Sequence, residues 1–292
     1  MDQLPNFQDL KVSQSSQAFS RQTMGSLDHL LIVLPEKPHA RLFRKLPQGT
    51  QLERMFKRSK IVGSGVVTSR LNNQRDTGIV LSTYTEKSTF QRLTWARKLV
   101  AECLKNSPGT LGISTIGLNE EERQRVIVAI VAAAEAAAFK LPEFKSAEKS
   151  RSRSLKQLKI LSAQPRIDLN EVNATSLGNN VARWFTALPP NELNAKTYRH
   201  MAEQLAKKYG IRSEFFGEHK LKKLGAGAFL AVAQGNPSRD AGILRLSYRP
   251  KKQAKPDLAL VGKGILFDTG GTNLKPFKSM LDMHKDMQGS AV

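Results

Sequence analysis

Residues 111–139 read LGISTIGLNEEERQRVIVAIVAAAEAAAF. The apolar run Leu111 to Ile116 predicts a buried strand. Asn119 then precedes Glu122 by three positions, the spacing of a capping box that opens a helix. That helix runs apolar almost all round through Phe139, so it belongs inside a fold rather than on its surface. A buried strand followed by a buried helix is one turn of an α/β unit. The same grammar appears upstream. Leu30 to Leu34 is an apolar run stopped by Pro35, and Gly78 to Leu81 reads as another strand. Ser88 with Gln91 is a second capping pair, followed by Leu93, Ala96, Val100 and Cys103 at helical spacing. Strands alternating with helices predict an N-terminal α/β domain with a mixed, largely parallel sheet.

Outside this core the chain changes character. Residues 1–26 are polar, rich in Gln and Ser, and are expected to be a disordered tail. Residues 37–60 hold eight Lys/Arg and one Glu without clean periodicity, which predicts loop with a short helix. Residues 140–166 hold eight basic residues and two Glu around the apolar run Leu155 to Leu161. The Lys145–Arg153 stretch reads as an exposed loop. A domain boundary is expected near 165, at the Gln164-Pro165 step, giving domains 27–165 and 166–292. The second domain opens with a helix around Glu171 to Leu188. A further helix carries Tyr198, Met201, Leu205 and Tyr209 on one face and ends at Gly210. Ile211–Phe216, Ile243–Tyr248 and Leu258–Val261 read as strands.

Composition excludes several classes. With 292 residues and 40% apolar content, the chain can bury a core, so wholesale disorder is excluded. The single Cys103 excludes a disulfide framework and a thiolate cluster, and points to a reducing, cytoplasmic compartment. The most apolar stretch, Val126 to Phe139, is interrupted by Glu135 and is shorter than the ~20 residues a spanning helix needs. No signal peptide is expected from the Met-Asp-Gln-Leu-Pro start. The 46 Lys+Arg against 25 Asp+Glu give a net charge of +21, which invites a polyanion such as DNA. Against that reading, no nucleic-acid-binding motif is present and aromatic residues do not interleave the basic runs.

The chemistry concentrates in residues 260–292, LVGKGILFDTGGTNLKPFKSMLDMHKDMQGSAV. An apolar strand is expected to run into Gly262-Lys263-Gly264. Asp268 is expected at a strand end, where α/β proteins line their ligand crevices. Glycines 270 and 271 follow it, and Lys275 precedes Pro276. A helix is then expected to carry Met280, Met283 and Met287, with Asp282 and Asp286 on a neighbouring face. A strand-end carboxylate and a helical carboxylate are a start for a hard-cation site. A lysine desolvated beside a metal can lose its proton and ligate. Taken singly, Asp268 and Asp286 also read as a cap and a solvated face, and the methionine stripe as core. The spacing of a phosphate-binding P-loop is absent.

This segment resembles the signature of the leucyl aminopeptidase (cytosol aminopeptidase) family of dinuclear-metal exopeptidases. The spacing of Lys263, Asp268, Lys275 and Asp286 is similar to the family's throughout. Ala187-Leu188-Pro189-Pro190-Asn191, Leu224-Gly225-Ala226-Gly227 and Ala231-Val232-Ala233-Gln234-Gly235 also resemble family segments. The resemblance runs from about 178 to 292. It implies the first part of an α/β catalytic domain after a macro-like N-terminal domain. It also implies a metal-dependent aminopeptidase acting on peptides, with two divalent ions, Zn²⁺ or Mn²⁺. In that reading Lys263 and Asp286 ligate one metal and Asp268 contacts both. Lys275 stays charged and polarises the scissile carbonyl, and Met283 lines the pocket for the N-terminal side chain. A hexamer is implied for the full-length protein. The family's later N-T-D-A-E-G-R segment, which brings further carboxylate ligands, is not found in this sequence. The chain is therefore expected to be an incomplete, inactive form.

Overall fold

Polar residues near the N-terminus start the sheet. In the computed structural model, which describes residues 4–59, 65–144, 154–249 and 258–292, β1 (Lys11–Gln14) is an edge strand. Residues 6–26 thus differ from the disordered tail expected of them. They are tied down by backbone pairing to a neighbouring strand and by burial of Phe7 and Leu10. The Gln14 side chain also bonds the Ile167 backbone in both directions at 2.9 Å. Two apolar side chains and a backbone ladder suffice, and composition alone does not reveal a ladder.

A short helix, α1 (Arg21–Met24), leads into β2 (His29–Pro35), the expected apolar run. The basic stretch that follows forms two helices, α2 (Ala40–Phe43) and α3 (Gly49–Arg58), which bury Leu42, Phe43 and Leu52. The chain continues through β3 (Val66–Arg70), β4 (Gly78–Tyr84), α4 (Thr89–Leu104), β5 (Thr110–Thr115), α5 (Glu120–Ala138) and β6 (Gln157–Ile160). Both predicted capping boxes form, Ser88 with Gln91 on α4 and Asn119 with Glu122 on α5. Lys145–Arg153 lies outside the described residues.

The six strands lie in the order β1-β6-β5-β2-β4-β3. Every pairing is parallel except β3 with β4, so the sheet is mixed and mostly parallel. Alternation along β2 sends Leu31 and Val33 to one face, with residues of α4 and α5. Leu30, Ile32 and Leu34 go to the other, with Phe43 and Leu52. Both faces are covered, which is why β2 reads as a continuous apolar run. Cys103 sits in the first layer, and burial pushes its thiol up to about 12. Arg123 on α5 donates to the carbonyls of Gln164 and Pro165 at 2.6 Å each, holding the end of this layer.

Contacts divide the chain at 180/181, inside α6 (Asn170–Ala187), rather than at the boundary expected near 165. The second unit contains α7 (Ala195–Lys208), β7 (Arg212–Gly217), α8 (Glu218–Lys223), α9 (Gly227–Ala233) and β8 (Gly242–Ser247). β7 and β8 form an antiparallel two-stranded ribbon. The expected strand Leu258–Val261 is not formed: it pairs with no described strand, and Val261 is 100% exposed. A strand needs a ladder partner, and apolar residues alone do not supply one. Among the described residues no helix is long and apolar enough to cross a membrane.

Candidate metal centre

The loop after Leu258 folds back on the C-terminal residues. Gly262 lies so close to Gly289 that a Cβ there would collide with the Gly289 carbonyl. Ser290, next in line, accepts a 3.0 Å bond from the Tyr198 hydroxyl on α7. Its own Oγ also donates to the Met287 carbonyl at 2.7 Å, and Met287 is fully buried. Burial raises the Tyr198 phenol above its ordinary value, and the Ser290 bond partly offsets this. These contacts anchor residues 262–264 against 287–290. Tyr198 gave no sequence signal of such a role, because it reads as one of several residues on a helix face.

The expected C-terminal helix is broken. It consists of α10 (Phe277–Met280), a 3-10 turn (Met283–Lys285) and α11 (Gln288–Ala291). Asp268 likewise sits in a turn rather than at a strand end. That turn is held by Asp268 Oδ1, which accepts the Gly270 N–H at 2.8 Å, and by the Lys275 N–H on the Thr269 carbonyl at 2.9 Å. Gly270 has φ +92°, and a Cβ there would lie 2.7 Å from the Asn273 carbonyl oxygen. Only glycine fits the position.

Four charged residues meet on this frame in two pairs. Lys263 Nζ donates to Asp286 Oδ1 at 2.7 Å. Lys275 Nζ donates to Asp268 Oδ2 at 2.9 Å and lies 2.9 Å from Met283 Sδ. The pairs share one field, because the Lys263 charge also acts on Asp268. Chiefly the Lys275 ammonium, then the Gly270 N–H, holds the Asp268 carboxyl below the usual carboxylate range. Asp282, by contrast, pairs with Lys285 at 2.6 Å, apart from these four. All five residues singled out in the sequence (Lys263, Asp268, Lys275, Met283 and Asp286) are therefore linked by direct contact or by charge.

The donor set suits part of a divalent-cation shell. It offers two carboxylates and an amine, and hard oxygen donors match such ions. Asp286 Oδ2 is buried with no hydrogen-bond donor, an acceptor left for something positive. Among the described residues no group of three or more His, Cys, Asp or Glu gathers to complete a cage.

Residues 180–292 match the catalytic domain of the cytosol aminopeptidase family. A probable cytosol aminopeptidase of Rhodococcus opacus is 33% identical over 207 residues, spanning 67% of this chain and 41% of the relative. One from Stutzerimonas stutzeri is 38% identical over 181 residues, spanning 60% and 36%. The chain thus covers less than half the length of these relatives. Among solved structures, a tomato leucine aminopeptidase mutant superposes with a TM-score of 0.74 at 18% identity, over 99% of this chain and 59% of that one. The bottromycin maturation enzyme BotP in complex with Mn gives 0.62 at 20% identity, over 90% and 54%. These likenesses extend the shared fold to the N-terminal unit.

Proposed function

We propose, from the similarity of residues 180–292 to the cytosol aminopeptidase catalytic domain, that the whole protein is a metal-dependent aminopeptidase. Its substrates are peptides, from which it removes N-terminal residues, apolar ones preferred. The observation that carries this reading is the convergence of Lys263, Asp286, Asp268 and Lys275 on one glycine-built frame. Two divalent ions, Zn²⁺ or Mn²⁺, supply Lewis acidity and an activated water when bound. Lys263 and Asp286 would hold one ion, and Asp268 would contact both. The Lys275 ammonium donates to the substrate carbonyl oxygen and stabilises the negative charge that develops there. Met283, packed on the Lys275 amine, forms an apolar wall for the N-terminal side chain.

The 292-residue chain by itself is proposed to be inactive, since the sequence holds no N-T-D-A-E-G-R segment to supply further carboxylates. A homo-hexamer in the full-length protein and a cytoplasmic location follow from the same family reading. Binding of DNA has no support beyond the +21 charge. The test is hydrolysis of leucine p-nitroanilide with added Mn²⁺ or Zn²⁺. The expected result is no turnover by this chain and turnover by a longer chain that supplies an Asp-x-Glu segment. Turnover by the 292-residue chain would overturn the incomplete-site reading. Inactivity of the longer chain would overturn the aminopeptidase reading.

A further inference from the structure

We infer that the cavity between α8 and α9 binds a free α-amino acid with an apolar side chain, its ammonium taken by Glu218 and its carboxylate by Lys222.

The cavity measures about 550 Å³, and Glu218, Lys222, Leu230, Ala231 and Arg239 line it. Arg239 donates to Glu218 Oε2 from Nε at 3.0 Å and from Nη2 at 2.7 Å. The other oxygen, Oε1, is buried and receives no donor among the described residues. A buried carboxylate oxygen without a donor is costly, so the position calls for an N–H from outside the fold. Lys222 follows Glu218 by four residues in α8. Acid and base at this spacing ordinarily close on each other. Glu53 and Lys57 do so at 2.7 Å, and Arg199 and Glu203 at 2.8 Å. Glu218 and Lys222 do not: Glu218 pairs with Arg239, and Lys222 has no ion-pair partner among the described residues. Two opposite charges one helical turn apart thus line one space without touching.

That arrangement selects its ligand. Arg239 balances Glu218, which leaves Lys222 as the uncompensated charge. A plain cation would be repelled by Lys222, and a plain anion would leave Glu218 Oε1 without a donor. A zwitterion answers both, with one charge-assisted hydrogen bond at each end. Leu230 and Ala231 on α9 give its side chain an apolar wall.

The test is a saturation-transfer NMR titration of the 292-residue chain with L-leucine at low ionic strength. Saturable binding is expected. L-leucinamide lacks the carboxylate and N-acetyl-L-leucine lacks the ammonium, so each is expected to bind at least about tenfold more weakly. Lys222→Met and Glu218→Gln should each weaken L-leucine binding by about tenfold. Circular dichroism checks folding, and if Glu218→Gln does not fold, Lys222→Met and the two analogues decide. Absence of saturable L-leucine binding overturns the inference. Binding of either analogue as tight as that of L-leucine overturns it, and so does L-leucine binding that Lys222→Met leaves unchanged. Binding that survives Lys222→Met but is lost in Asp268→Asn places the amino acid at the candidate metal centre and likewise overturns it.

Discussion

Lys263 and Asp286, 23 residues apart in sequence, meet at 2.7 Å between Nζ and Oδ1. The loop and the C-terminal turn that carry them are locked by the close approach of Gly262 to Gly289 and by the Tyr198–Ser290 bond. The pair is a consequence of that frame rather than its cause. Asp286→Asn is accordingly expected to change unfolding free energy by less than about 1 kcal/mol, because the lysine partner is open to solvent. Urea unfolding checks this. A larger loss would mean that the pair holds the loop in place.

Gly270 carries the backbone strain of the turn that presents Asp268. Gly270→Ala places a Cβ 2.7 Å from the Asn273 carbonyl oxygen at φ +92°. The expected cost is about 1–3 kcal/mol. Gly271 also has a positive φ, +73°, but a Cβ there meets nothing within 4 Å. Gly271→Ala should therefore cost less. Faster hydrogen exchange over residues 268–275 in Gly270→Ala than in Gly271→Ala is the expected signature.

Glu135 gives the N-terminal unit a pH dependence. It is buried on α5, and burial first, then the charge of Asp9, raises its carboxyl from 4.5 to about 7. The folded state thus binds this proton more tightly than the unfolded chain. The favourable contribution is fully present below about pH 4.5. It is lost as pH rises through about 7 and stays lost above that. The change amounts to about 3 kcal/mol at most. Glu135→Gln should remove this slope. Parallel pH curves for the parent and the variant would contradict the assignment.

Capping and periodicity made most of the N-terminal unit legible. Ser88 with Gln91 and Asn119 with Glu122 mark the starts of α4 and α5, and the apolar run at Leu30–Leu34 marks the central strand. The edge strands were not legible. β1 and β3 are short segments without a continuous apolar run, whose order comes from neighbours, and a ladder leaves little trace in side-chain chemistry. In the second unit the spacing of Lys263, Asp268, Lys275 and Asp286 pointed to residues that do come together. The elements presenting them were misread. Met280, Met283 and Met287 keep helical spacing, yet only Met287 is buried. Without a packed face, a helix of this length has little to sustain it, and it breaks into shorter turns. No sequence pattern announces the Lys275–Met283 contact or the unpaired Asp286 oxygen.

Mn²⁺ binding followed by electron paramagnetic resonance tests the central claim most directly, because it reads the half-site without requiring turnover. Free Mn²⁺ should lose signal on titration with the 292-residue chain. Asp268→Asn with Asp286→Asn should abolish that loss while circular dichroism stays unchanged. A free-ion signal that the parent chain leaves untouched, or one that the double variant still depletes equally, would contradict the assignment of these residues as metal ligands.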